Sequence, residues 1–149
     1  MKAGALRKHV PEPLKRGVIN GISITFEMVK VIVPCYIIIE SIKHMGLIDN
    51  VSRFFRPFMG LFGLPGESAL GLIAGYFINL YAAIAVLTPL QLTSKDMTVI
   101  ALMLGIAHSL PVETPVTSRT GVNAWLLLSV RIILSLLAGV LLHLLWKLF

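Results

Sequence analysis

Charge is scarce in this chain: only 13% of its 149 residues are Asp, Glu, Lys or Arg, 56% are hydrophobic, and the mean hydropathy is +0.88. A soluble domain carries roughly a quarter charged residues, so the composition excludes an ordinary soluble globule and points to an integral membrane protein. Cysteine is scarcer still. Cys35 stands alone inside an apolar run, which excludes an intrachain disulfide and leaves it as a small packing residue. One cysteine and four scattered histidines lack metal-ligand spacing. A P-loop and a Gly-x-Ser-x-Gly elbow are also missing, and neither Ser68 nor Ser109 has a base and orienter beside it. Neither an enzymatic activity nor a cofactor is expected. At about 20 residues per span, only about four or five membrane segments fit, few for a transporter that must surround a midplane site alone.

The net charge of +6 is no nucleic-acid signal, because its largest block is Lys2, Arg7, Lys8, Lys15 and Arg16 ahead of the first apolar run. Basic residues in that place hold an end in the cytoplasm against anionic headgroups. Residues 1–16 are therefore read as a basic cytoplasmic segment and 17–149 as the membrane domain. The first apolar run is too long for a signal peptide and lacks a small-residue cleavage site, so a retained span is expected. It covers about Val18 to Ile42 and is interrupted by Asn20, Glu27, Lys30 and Glu40. Glu27 and Lys30 are three apart and are expected to form a structural ion pair, and Pro34 is expected to kink the helix. Residues 46–63 carry Arg53, Phe54, Phe55, Arg56 and Phe58, which suit a helix lying among headgroups or a re-entrant arm. The last helix, Val122 to Leu148, has Trp125 and Trp146 near its ends and Arg131 deep inside. Arg131 needs a partner, and Glu27 and Glu113 are the acids on offer.

A pentapeptide, Leu-Pro-x-Glu-(Ser/Thr), occurs twice, as Leu64–Ser68 and Leu110–Thr114. Proline is well placed as the first residue of a helix, where its missing donor would be unpaired anyway. Each copy is thus expected to start a helix, with Glu67 and Glu113 at the third position near free amides and the positive end of the dipole. Ionisable groups at membrane depth usually mark a solute or ion pathway. The candidate binding residues are Glu67, Ser68, Glu113 and Thr114, with His108 before the second copy and Asn79 and Asn123 lining a cavity. Such tips best fit a polar, mostly neutral solute with hydroxyl or ring-nitrogen donors, and a coupling Na⁺ or H⁺ could also use the carboxylates and freed carbonyls. Gly71 and Gly75 in the apolar run 69–87 permit close helix contact. Ser94 is read as the N-cap of a half-span from Met97 to His108. The architecture expected is an all-α, polytopic membrane protein. It has two full spans at its ends and two interrupted or re-entrant segments between them, each with a Pro-x-Glu helix start.

Gly63-Leu64-Pro65-Gly66-Glu67-Ser68-Ala69-Leu70 resembles the first half of the nucleoside recognition, or Gate, domain. Ala107-His108-Ser109-Leu110-Pro111-Val112-Glu113-Thr114, followed by Arg119-Thr120-Gly121-Val122-Asn123, resembles its second half. That domain occurs in bacterial spore maturation membrane proteins, in the membrane part of ferrous-iron permeases and in concentrative nucleoside transporters. In the last of these, glutamates at re-entrant hairpin tips contact the nucleoside. The resemblance implies that role for Glu67 and Glu113, helped by Ser68, Thr114, Asn79 and Asn123. The chain is most similar to the stand-alone, spore-maturation type.

Two functions follow as expectations. One is a transporter or channel subunit in the bacterial cytoplasmic membrane, working as a homodimer or with a sister Gate protein. The other is a non-transporting scaffold that assembles envelope partners.

Overall fold

A computed structural model describes residues 12–119 and 121–148. Most of the basic segment 1–16, and Thr120, lie outside them. The described residues form helices, turns and loops, with no strand among them. In order they are α1 (Glu12–His44), α2 (Ile48–Met59), a 3-10 turn (Gly60–Phe62), α3 (Ser68–Phe77), α4 (Leu80–Leu87), α5 (Ser94–Ile106), α6 (Leu110–Ser118) and α7 (Ala124–Leu148). The chain divides into two units at Lys30. The described part of the first is the stretch Glu12–Lys30 of α1.

Three segments are long and apolar enough to cross a membrane: α1, α5 with α6 as one 25-residue stretch, and α7. Two were expected. The third arises because α6 follows α5 across a three-residue break, Ala107–Ser109, so the two together reach the length and apolarity of one crossing. Helix α7 runs back antiparallel along it: Arg131 meets Ile106, Ser135 meets Met103, and Lys95 at the start of α5 lies over the ring of Trp146.

Helices α3 and α4 form a tight hairpin. A Cβ added at Gly71 would lie 2.2 Å from the Leu87 side chain, and one at Gly75 would lie 3.2 Å from Ala83. Contacts that move outward in step on both helices are the signature of antiparallel neighbours. Its tip is Ile78–Asn79, where extended Asn79 caps α4 by accepting from the Ala82 amide at 2.8 Å. Together α4 and α5 fill the centre, with Ala82, Ala83, Val99, Ile100, Met103 and Leu104 nearly inaccessible. Lipid tails are as apolar as leucine, so close packing over small residues, more than expulsion of water, holds such a bundle together.

Local chemistry sets the helix starts, not always where expected. The N-cap of α5 is Thr93, not Ser94: Thr93 and Asp96 form a reciprocal capping box. Pro65 does not begin α3. The amides of Ser68, Ala69 and Leu70 bond back to the carbonyls of Pro65, Gly66 and Glu67, a tight turn that delays the helix to Ser68. In the second copy α6 begins one residue earlier than its proline, so Glu113 is the fourth residue and not the third.

Helix α2 sits directly on the first motif. The Ser52 carbonyl lies 1.9 Å from where a Cβ on Gly66 would be, and Ser52 Oγ donates to Glu67 Oε2 at 2.6 Å. Backbone cannot yield as a side chain does. Gly66→Ala is therefore expected to push α2 away, at a loss of about 1–3 kcal/mol. The thermal midpoint of purified protein should fall, while Gly60→Ala, with nothing within 4 Å, should leave it nearly unchanged.

Candidate functional site

Two helix breaks meet. At the α3–α4 tip the amides of both Ile78 and Asn79 turn to the Ala74 carbonyl, so the Gly75 carbonyl is free of its own helix. It accepts instead from the Ser109 amide, at 2.9 Å, inside the α5–α6 break. Ser109 has φ 48° and ψ 37°, the left-handed region, among the described residues the single non-glycine with positive φ. That conformation costs on the order of 1–3 kcal/mol and persists only where its surroundings impose it, often at functional sites.

The break exposes the last carbonyls of α5, which polar side chains satisfy. Ser135 Oγ donates to the Met103 carbonyl at 2.7 Å and is bonded to Tyr76 Oη at 2.7 Å, tying α3, α5 and α7 together. His108 Nδ1 lies 3.0 Å from the Leu104 carbonyl, and Arg131 Nε donates to the Ile106 carbonyl at 3.1 Å. A cation at a helix C-terminus is favoured by the dipole. Arg131 Nη1 also donates to Glu113 Oε2, and His108 Nε2 stands 3.3 Å from Glu113 Oε1. Of the two acids considered for Arg131, Glu113 is its partner.

The histidine fixes what this cluster can do. A carbonyl only accepts, so Nδ1 carries the hydrogen toward Leu104, leaving Nε2 as a bare lone pair in the neutral ring. The contact therefore sets an imidazole nitrogen against a carboxylate oxygen at the helix break. Arg131 balances the charge of Glu113, and all three side chains remain between one-fifth and two-fifths exposed.

The other candidates divide. Asn79 lies at the hairpin tip, the end of α3 that meets Ser109. Glu67 is at the opposite end of α3 from Gly75, about 12 Å away along the helix at 1.5 Å per residue. The two glutamates are thus held in different surroundings, one beneath α2 and one at the break. Ser68 is fully buried with its hydroxyl given to the Pro65 carbonyl, and Thr114 donates to the Leu110 carbonyl at 2.6 Å. Asn123 is exposed and caps α7 through the Trp125 and Leu126 amides. Nor are the motif amides free: those of Val112 and Glu113 both bond the Ser109 carbonyl. Glu27 and Lys30 do not form the expected ion pair; both are exposed, and α1 pairs Glu12 with Arg16, and Glu40 with Lys43 and His44. Sequence reasoning missed Ser135 and Tyr76 altogether. Ser135, a small hydroxyl four residues after Arg131 on the same face of α7, was the available signal.

Grooves of about 410 and 300 Å³ flank this centre, the first lined by Phe54, Phe58, Phe62 and Tyr76, the second by Phe77, Pro111, Thr114 and Trp125. Both are apolar, and neither is lined by Glu67, Glu113 or His108.

Comparison with known proteins agrees with the sequence resemblance. Uncharacterized membrane protein YvoD of Bacillus subtilis (strain 168) is 35% identical over 130 residues, 87% of this chain and 42% of its own length. Inner membrane protein YjiG of Escherichia coli (strain K12) is 34% identical over 100 residues, 64% of this chain and 65% of its own. This chain therefore spans less than two-thirds of either relative. No solved structure matches it. Residues 25–140 match the family model described as nucleoside recognition, and on that match the chain is a membrane protein of the nucleoside recognition, or Gate, family.

Proposed function

We propose that the protein is a subunit of a transporter or channel in the bacterial cytoplasmic membrane, moving a small polar solute of nucleoside type or a coupled cation. The observation that carries this reading is the meeting of the α3–α4 tip with the α5–α6 break, where Ser109 bonds Gly75 beside the Glu113–Arg131–His108 cluster. Secondary transporters place their sites at discontinuous helices, where unwound backbone replaces water around the cargo. The α3–α4 hairpin serves as the re-entrant segment, since its helices of 10 and 8 residues are each about half a bilayer long. His108 and Glu113 supply the coupling proton site, with Asn79 and the break's backbone as neutral hydrogen-bonding groups. A second subunit, of this chain or of a sister Gate protein, closes the pathway.

The test is transport by purified protein in liposomes, reading tritiated uridine uptake and, with pyranine, proton movement. Glu113→Gln keeps the shape and a hydrogen-bond acceptor but removes the charge. It is expected to reduce movement at least about tenfold, the loss of one charge-assisted contact. Wild-type protein that moves neither uridine nor protons sinks the reading and leaves the scaffold.

A further inference from the structure

The described part of the first unit, Glu12–Lys30, contains no buried residue. Its polar groups are nonetheless ordered. Arg16, Asn20, Ser23, Glu27 and Lys30 recur at spacings of four, three, four and three, the pattern of a helix seated against another helix. At 3.6 residues per turn the five share an arc of about 80°. The opposite face is Val18, Ile22, Thr25 and Val29, where Thr25 returns its hydroxyl to the Gly21 carbonyl at 2.8 Å.

Glu27 is the sixteenth of the 33 residues of α1, near the middle of a candidate span. A charge at that depth is costly unless it is paired. Among the described residues neither Glu27 nor Lys30 has an ion-pair partner, and neither Asn20 nor Ser23 has a side-chain hydrogen bond. The stripe is complementary to itself. Glu27 and Lys30 are offset by about 4.5 Å along the axis, within reach of two long side chains. In a parallel two-fold pair each acid lies one turn along the axis from the other chain's base, and symmetry closes both contacts together.

We propose that α1 is the contact between two copies of this chain. They pair in parallel through the Arg16–Lys30 stripe, Glu27 against the partner's Lys30, with the Asn20 side chains bonded to each other. This holds whatever the assembly carries, so its failure and that of the transport reading are separate results.

The experiment uses the full chain with Cys35→Ala, reconstituted in lipid and oxidised with copper phenanthroline. Ser23→Cys is expected to cross-link as a dimer about tenfold more than Thr25→Cys on the opposite face, since only the former lies in the contact. Glu27→Lys alone and Lys30→Glu alone should each lower that dimer about tenfold. Coexpressing the two reversed chains under different tags should restore a mixed dimer, which general misfolding would not do. Equal cross-linking from both faces overturns the proposal. So does a dimer that survives both reversals, or a purified protein that stays monomeric in lipid because its partner is a different chain.

Discussion

Arg131→Met is expected to be the most destructive single change in the bundle. The arginine holds the Ile106 carbonyl at the end of α5 and the Glu113 carboxylate at the start of α6, so one side chain splints both sides of the break. Removing it leaves a partly buried carboxylate without its countercharge. Breaking a buried pair in this way costs about 3–5 kcal/mol, and the 21% and 36% exposure of these side chains pulls the value toward the lower end. Adding Glu113→Leu to the same protein removes the orphaned charge and should recover most of the loss. Unfolding midpoints of the two variants in lipid-detergent micelles provide the check. Recovery of stability without recovery of transport would separate what the pair does for the fold from what it does for the site.

Gly63→Ala should rank next. Gly63 has φ 66°, where an L-residue other than glycine costs about 1 kcal/mol, and a Cβ there would lie 2.0 Å from His143 Nδ1. The ring is buried, with Nδ1 unpaired, so the overlap adds about 1–3 kcal/mol of overpacking. His143→Ala in the same chain should return the steric part and leave the conformational part, a non-additive cycle. Additive effects would show that the contact between Gly63 and His143 is not the cause.

Much of this architecture can be read from composition and local signals. The apolar ends, the amphipathic α2 and the tryptophans near the ends of α7 follow from hydropathy and side-chain type. The N-cap of α5, Thr93, lies one residue before the Ser94 that the sequence suggests. The hairpin is harder to read because its tip, Ile78–Asn79, has no glycine or proline, and Asn79 alone hints at a new helix start. Harder still is the difference between two near-identical pentapeptides. Leu64–Ser68 becomes a tight turn because α2 lies on Gly66 and Ser52 takes Glu67, while Leu110–Thr114 enters a helix because Gly75 anchors Ser109. Those causes are tertiary, and no window around either motif contains them. The partner of Arg131 is a similar case: two acids were available on charge alone, and the antiparallel run of α7 along α5 and α6 selects Glu113.

The central claim is that the functional acid is the one at the α5–α6 break, while Glu67 fastens α2 to the hairpin base. Transport in liposomes with Glu113→Gln and Glu67→Gln side by side, each shown to be folded, puts it to the test. The account predicts movement of uridine or protons lost in the first and largely kept in the second; loss in the second with full movement in the first would contradict it.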